Sequence, residues 1–197
     1  MPIPPDLIAD LDKAGLETRT DPATRVLYST DASIYQIEPL GVAFPRTPDH
    51  LNAAVELAAK YSIPVIARGA GSGLAGQAIG AGLILDCSRH LDRILAFDVR
   101  RSTVTVEPGV VLGALNWAAA AHGLQFGPDP ASADRATMGG VIANNASGAH
   151  SIVYGMTADN LLEVEVVLGD GSVANFGDVS LAEARRMSNE HHGHRSG

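Results

Sequence analysis

Residues 69 to 76 read GAGSGLAG, one residue, Arg68, behind the apolar run IPVIA, and only nine residues, LAGQAIGAG, separate Gly73 from the next apolar run, LILD. That spacing constrains the fold more than any other feature of the chain. Gly71, Gly73 and Gly76 match G-x-G-x-x-G, the dinucleotide fingerprint of a Rossmann unit. In that unit the glycine turn opens a helix that crosses back to the next strand, and the crossover needs a dozen or more residues. LAGQAIGAG is too short for it, and each internal glycine costs ~1 kcal/mol relative to alanine in a helix. Asp86, at the end of LILD, stands closer to the glycines than a ribose-binding acid should, which falls ~20 residues on. The loop therefore reads as an irregular nest, with successive backbone N–H groups turned toward an anion and glycine tolerating positive φ. Ser72 adds a hydroxyl donor. The alternative is a glycine-rich surface turn with no ligand, but so many glycines cost backbone entropy without evident structural gain.

A second unusual stretch, residues 127 to 148, reads GPDPASADRATMGGVIANNASG. It is long and poor in large apolar residues, and long loops in compact domains are usually functional or disordered. Pro128 and Pro130 restrict it, which favours order. Thr137 is positioned to cap a short helix from Met138, whose first N–H groups would favour a phosphate. Asn144 and Asn145 read equally well as contacts to a base or flavin edge and as turn and cap residues.

Around these loops the pattern is α+β. PPDLIADLDKAG predicts a first helix ended by Gly15, and Thr30 or Asp31 can cap a single turn in YSTDASIYQ. GVAFP is a buried strand. TPDHLNAAVELAAKY is the clearest helix, with Thr47 at the N-cap, Pro48 at N1, and Leu51, Ala54, Val55 and Ala58 on one stripe. Strand, helix, strand in apolar runs implies parallel pairing with a crossover. From residue 91 the grammar turns antiparallel. RILAFDVRRSTVTVEPG predicts two strands, VLGALNWAAAAHG a helix ended by Gly123, and LLEVEVVLGDGSVANF a hairpin turning at Gly169-Asp170-Gly171. The expected organisation is a domain over 1–178, with a small parallel βαβ lobe at about 20–90 and an antiparallel sheet lobe with flanking helices at about 91–178. A polar tail, helical or frayed, follows at 179–197.

Formal net charge is −8, and no block of Lys and Arg stands out, which disfavours nucleic acid. No apolar run reaches membrane-span length, and the start lacks a signal-peptide pattern, so the expected setting is the cytoplasm. The single Cys87 reads as a buried small hydrophobe. His191, His192 and His194 read as an exposed tail rather than a metal site. His150 lies within reach of the second loop and reads either as facing a ligand or as a surface residue. His50, His90 and His122 read as structural, Trp117 as core or a lobe contact, and Glu163 and Glu165 as one solvated strand face. No metal site is expected.

These segments together carry a likeness. YSTDASIYQIEPLGVAFP, PVIARGAGSGLAGQAIGAGLILDCSRHL, VEPGVVLGALN and the run from Gly127 to Gly171 occur in the order found in FAD-linked oxidases of the vanillyl-alcohol oxidase / p-cresol methylhydroxylase type. Among these the chain most resembles the branch that holds the flavin chain of glycolate oxidase and the D-lactate dehydrogenases, in particular the large proteins that join such a flavin domain to an iron–sulfur domain. The resemblance implies a two-lobed FAD-binding domain with FAD extended between the lobes. Arg68, Gly69, Ala70, Gly71, Ser72, Gly73 and Leu74 would hold the pyrophosphate. Thr137, Met138, Gly139, Gly140, Asn144, Asn145, Ser147 and Gly148 would line the cofactor from the other lobe. Pro128 and Ser132 match positions near the flavin end, Tyr154 the tyrosine of the YG that follows, and Val164 the strand beneath the cofactor. The family loop commonly reads RGGGTSLAGQ, so Ala70 replaces a glycine and would be strained by ~1 kcal/mol or more if that position requires positive φ. No residue from 69 to 76 is histidine, so noncovalent FAD is expected.

The resemblance further implies a D-2-hydroxy acid, lactate- or glycolate-like, as the small-molecule substrate of full-length relatives, with the electron acceptor unknown. Those relatives continue into substrate and iron–sulfur parts. One cysteine cannot ligate an iron–sulfur cluster, which needs about four thiolates. The chain therefore reads as a truncated member whose catalytic residues are unknown, with weak or no turnover of its own. A noncatalytic binding module or degenerate fragment that folds without flavin, and a Rossmann NAD enzyme, are the competing readings.

Overall fold

The computed structural model describes residues 3–177. The expected tail at 179–197, with His191, His192 and His194, lies outside them.

The first lobe begins earlier than the sequence pattern suggests. Helix α1 (Pro5–Lys13) leads into strand β1 (Glu17–Arg19) and helix α2 (Pro22–Leu27). Then come β2 (Gly41–Phe44), α3 (Pro48–Lys60), β3 (Val65–Arg68) and β4 (Leu83–Asp86). The four strands form one sheet in the order β1-β2-β4-β3. β1 pairs antiparallel with β2, and β4 pairs in parallel with both β2 and β3. The crossover over α3 does not join neighbours. β4 sits between β2 and β3, because the glycine loop returns the chain to the centre of the sheet without a helix.

The helices start where their caps dictate. Thr47 Oγ1 accepts the His50 amide at 3.2 Å, and Pro48 occupies the first turn of α3. Asp21 Oδ1 accepts the Thr24 amide at 2.9 Å to open α2. Gly15, at φ 75°, follows the end of α1. The expected turn at Thr30–Asp31 is no helix; Asp31 Oδ1 accepts the Ser33 amide at 2.8 Å, and Thr30 bridges to Gln36. That local Asx bond competes with a helical start.

Both faces of this sheet are covered, which is why β2 and β4 are buried at every position. On one face Leu7 and Leu11 of α1 and Ala54 and Ala58 of α3 pack with Ala43, Leu83 and Leu85. Lys60 and Tyr61 donate to Asp10 Oδ2 at 2.9 and 2.8 Å and fasten α3 to α1. The Lys60 bond, ahead of those from Tyr61 and Lys13, holds the Asp10 carboxyl far below the carboxylate range. On the other face Val42, Phe44 and Ile84 meet Tyr28 and Ile66.

Among the described residues the antiparallel half consists of two separate two-stranded ladders. β5 (Ile94–Asp98) pairs with β6 (Thr103–Val106), and β7 (Glu163–Val167) pairs with β8 (Val173–Gly177). Between them lie α4 (Leu112–Ala120), α5 (Met138–Ala143), α6 (Ser151–Tyr154) and a 3-10 turn, Ala158–Asn160. Val110, Leu112, Leu115, Ala136, Met138 and Val141 form the core of this half against Ile94, Phe97, Val104 and Val106. Buried Glu107 braces it: the Arg93 amide donates to Oε2 at 2.8 Å, and the Arg93 guanidinium to Oε1 at 2.8 Å. The hairpin turn after β7 has Gly171 at φ 87° and packs on Glu56 of α3, where a Cβ would overlap the Glu56 side chain.

Trp117 is neither core nor lobe contact. It is 83% exposed, because α4 buries Leu112, Leu115 and Ala119, and Trp117 projects from a different face.

Candidate functional site

The two glycine loops meet. Gly69 stands against Thr137 so closely that a Cβ would overlap Thr137 Oγ1 and lie 3.3 Å from Thr137 Cβ. Gln77 Nε2 donates to Asn144 Oδ1 at 2.7 Å, a second tie between the loops. The residue pattern marks each loop separately but not this apposition, and Gln77 is marked only by the family spelling of the loop.

The first loop leaves the carboxyl end of β3. Gly71 at φ 66° and Gly76 at φ 80° take left-handed conformations that glycine adopts without strain. Ala70 has no such conformation, so the strain that a positive φ would have imposed there is absent. None of the amides from Gly69 to Leu74 donates to the backbone of another segment among the described residues. That is the condition of a nest open to an anion. Ser72 belongs to this open stretch, while the Leu74 side chain is exposed.

Arg68 closes the base of the loop rather than projecting from it. Its guanidinium donates to the carbonyls of Thr30 at 2.9 Å, Ala78 at 3.2 Å and Tyr28 at 3.3 Å. It also stacks 5.1 Å from the Tyr28 ring centroid. Burial, then the Asp86 carboxylate beside it, push the Tyr28 phenol above the usual range, and its hydroxyl donates to Asp86 Oδ2 at 2.5 Å. Asp86 Oδ1 accepts from the amide and hydroxyl of Ser88 at 2.8 and 2.6 Å. Asp86 is therefore an internal brace at the end of β4. Burial disfavours charge on Asp31, yet bonds from Ser33 and Ala78 and the nearby Arg68 outweigh it and lower its carboxyl below the ordinary value. Hydrogen bonds to carbonyls and carboxylates thus knit the base of the loop together.

In the second loop the expected helix from Met138 forms, and Thr137 takes the N-cap position without a side-chain cap bond. The Met138 and Gly139 amides donate to the carbonyls of Val110 and Pro108, each at 2.8 Å. These two N–H groups hold the loop to the Glu107–Val110 segment and are not free for a phosphate. Gly139 also lacks space for a Cβ, which would come 2.8 Å from Pro108 Cβ. Gly140 is partly buried, and Asn144 Nδ2 donates to its carbonyl at 2.8 Å. Asn145, at φ 44°, accepts the Ala158 amide at 2.9 Å. Turn and cap duty, the alternative reading of this pair, describes both: Asn145 turns the chain and Asn144 is the C-cap of α5, while Asn144 Oδ1 also accepts the tie from Gln77. Ser147 is exposed.

Pro128, Gly148 and Tyr154 form a second cluster. A Cβ on Gly148 would overlap the backbone carbonyls of Pro128 and Asp129, and one on Gly127 would come 2.6 Å from Tyr154 Cβ. His150 Nδ1 lies 3.5 Å from Asp129 Oδ2, and its ring meets that of Tyr154 edge-on at 6.3 Å. Ser132 is exposed at a turn, its carbonyl accepting the Arg135 and Ala136 amides. Val164 stands on β7 opposite Phe176, on a different element from the two loops.

A family model described as an FAD binding domain matches residues 39–177. The chain belongs to this FAD binding domain family. Both glycine loops and the junction between the lobes fall inside the match. The chain is 39% identical over 191 residues to D-2-hydroxyglutarate dehydrogenase of Escherichia coli K12, covering 93% of this chain and 19% of that protein. It is 35% identical over 158 residues to glycolate oxidase subunit GlcD of Bacillus subtilis 168, covering 79% of this chain and 33% of that protein. Thus the chain spans about a fifth to a third of the length of these relatives. Among solved structures, alkyldihydroxyacetonephosphate synthase matches with a TM-score of 0.80 at 21% identity, over 93% of this chain and 37% of that one, which shows the shared fold.

The residues present fit the dinucleotide of this family. The open amides of Gly69–Leu74 suit a pyrophosphate, and the opposed second loop supplies a polar wall. Among the described residues no group of three or more His, Cys, Asp or Glu could hold a metal, and no helix is long and apolar enough to cross a membrane.

Proposed function

We propose that this FAD binding domain serves a cytoplasmic flavin-dependent oxidoreductase that oxidises a small D-2-hydroxy acid, with FAD held noncovalently. The observation that carries the reading is the apposition of the two glycine loops through Gly69–Thr137 and Gln77–Asn144, with the first loop's amides left open. The names of the relatives supply the substrate class. FAD, when bound, supplies the two-electron acceptor chemistry that no side chain offers.

The chain's own residues bind and orient. The Gly69–Leu74 amides and the Ser72 hydroxyl donate to the pyrophosphate, and the glycines let the backbone approach it. Arg68 acts at one remove, tying the far end of the loop at Ala78 to the Tyr28–Thr30 segment through three carbonyls. Thr137, Gly140 and Asn144 line the site from the second lobe. Pro128 and Ser132 would lie near its flavin end, Ser147 and Gly148 would line it from the second lobe with Tyr154 following, and Val164 would stand on the strand beneath. No residue from 69 to 76 offers the histidine that a covalent flavin link in this loop would use. No catalytic residue is assigned, so cofactor retention with weak or no turnover is expected of this chain.

Absorbance from 300 to 550 nm, taken after mixing with FAD and desalting, tests the reading. Retained flavin bands are expected. A colourless protein whose fold is intact by circular dichroism would refute it. D-lactate with a dye acceptor then tests turnover, and robust turnover would overturn the assignment of a binding-only role to these residues.

A further inference from the structure

Three arginines converge on one carboxylate at the far flank of the first sheet from the glycine loop. Glu17 Oε1 lies 2.7 Å from Arg19 Nη2 and 3.9 Å from Arg89 Nη1, and Glu17 Oε2 lies 3.4 Å from Arg46 Nη2. The three come from separate segments: the end of β1, the turn after β2 and the turn after β4. Glu17 and Phe44 are register partners across β1 and β2. The buried Phe44 ring carries two of the guanidiniums, with Arg89 at 4.7 Å and Arg19 at 5.5 Å from its centroid. The arginine side chains are 44 to 56% exposed, so their outer edges face solvent.

The charges do not balance. Among the described residues three guanidiniums meet one carboxylate, which leaves two positive charges there on a chain whose formal net charge is −8. The next acid, Asp21, senses Arg19 but is engaged by Thr24 through both its oxygens. Hydrogen-bonding capacity is also unfilled. Among the described residues Arg89 donates no hydrogen bond, and Arg46 donates one from its side chain, to Glu17. Guanidinium forks present five N–H donors in a geometry matched to oxyanions. The stacking on Phe44 pre-orients two of them, which lowers the ordering cost of binding.

We propose that Arg19, Arg46 and Arg89 form a second anion site, separate from the glycine loop, for a compact dianionic oxyanion of the phosphate type. The three guanidiniums are gathered about the Glu17 carboxylate, so their solvent-facing edges share one small patch beside it, which favours a compact ligand over an extended acidic surface that would need cations spread across a face. The carboxyl ends of parallel strands are also where open α/β sheets place ligands. Here that edge carries two cationic stations joined by a stacked row: Arg68 on Tyr28, Tyr28 against Phe44 at 6.1 Å, and Phe44 beneath Arg89.

The test is an NMR titration of the 15N-labelled chain with inorganic phosphate, against chloride at matched ionic strength. Saturable shifts sharing one midpoint are expected at the Arg19, Arg46 and Arg89 Nε–Hε signals. Arg89→Gln and Arg46→Gln should each weaken that midpoint about three- to five-fold, the scale of one exposed charge-assisted contact. Dispersed spectra of the variants establish that each still folds, and the two substitutions serve as independent checks. Linear drift without saturation, an unchanged midpoint in both variants, or shifts confined to residues 69–74 would overturn the proposal. The readout needs no flavin, so it stands apart from the fate of the FAD reading.

Discussion

Replacing Gly69 by alanine is the sharpest perturbation the site offers. The backbone there is not in the left-handed region, so alanine brings no torsional penalty. What it brings is a methyl group placed on Thr137, overlapping Oγ1 and 3.3 Å from Cβ. Thr137 is buried, and its backbone is fixed by the Val141 amide bond to its carbonyl and by the Met138 tie to Val110. The side chain can rotate but cannot withdraw. Overpacking of this kind costs about 1–3 kcal/mol. For a domain of this size each kcal/mol moves Tm by ~2–4 °C, so a loss of ~2–12 °C is expected in differential scanning calorimetry. The loops must also part, so FAD retention should fall about ten-fold or more, read by flavin fluorescence quenching. Thr137→Ala removes the overlapping oxygen. The double variant should therefore recover part of both losses, giving a favourable coupling of about 0.5–3 kcal/mol in a double-mutant cycle. Wild-type stability and FAD retention in Gly69→Ala, or strictly additive losses in the double variant, would refute the apposition of the loops.

Gly148→Ala should be harsher, because its methyl group would strike the Pro128 and Asp129 carbonyls, backbone that has no rotamer to change; a loss at or above ~3 kcal/mol in urea unfolding is expected, and a loss below about 1 kcal/mol would contradict the packing. Glu107 has its carboxyl lowered from the ordinary 4.5 chiefly by the Arg93 side-chain bond, against burial. A lowered folded-state value means stability present above 4.5 and lost as pH falls through the lowered value. Glu107→Gln should therefore flatten the acid limb of the stability–pH curve, and an unchanged limb would count against the brace. Burial, then the neighbouring Asp86, push the Cys87 thiol up to about 11. Labelling by a disulfide reagent at about pH 8 should be slow in the native protein and fast in urea; rapid native labelling would show that the thiol is open.

Much of the first lobe could be read from the chain because its signals are local. Thr47-Pro48 sets the start of α3, the Ala54–Ala58 stripe sets its buried face, and the shortness of LAGQAIGAG rules out a crossover helix. The order β1-β2-β4-β3 was not legible. Three residues, Glu17–Arg19, carry too little pattern to announce an edge strand, and nothing in a parallel run states which neighbour it will take. Trp117 shows the same limit from the other side. A helix rich in alanine is apolar all round, so sequence cannot say which face is buried. Ala70 was suspect only by comparison with the family spelling, and the strain vanished because Gly71, one residue on, takes the positive φ.

The glycines of the first loop illustrate why the candidate site was visible and its construction was not. Read as a string, Gly69, Gly71, Gly73 and Gly76 serve one purpose, close approach to an anion. In the folded chain they serve at least three. Gly71 and Gly76 supply left-handed turns, Gly69 admits Thr137 from the other lobe, and Gly73 lies under the Gln77 side chain that reaches Asn144. Only the first purpose is local. The other two depend on residues of the second lobe, far along the chain, whose proximity is created by the Pro108–Val110 junction: the Gly109 amide donates to the Leu91 carbonyl at 2.7 Å, while the Pro108 and Val110 carbonyls hold the second loop. A loop that must face a ligand on one side and a second loop on the other needs small residues on both. On the proposed reading, that double demand accounts for a glycine density that ligand binding alone would not require.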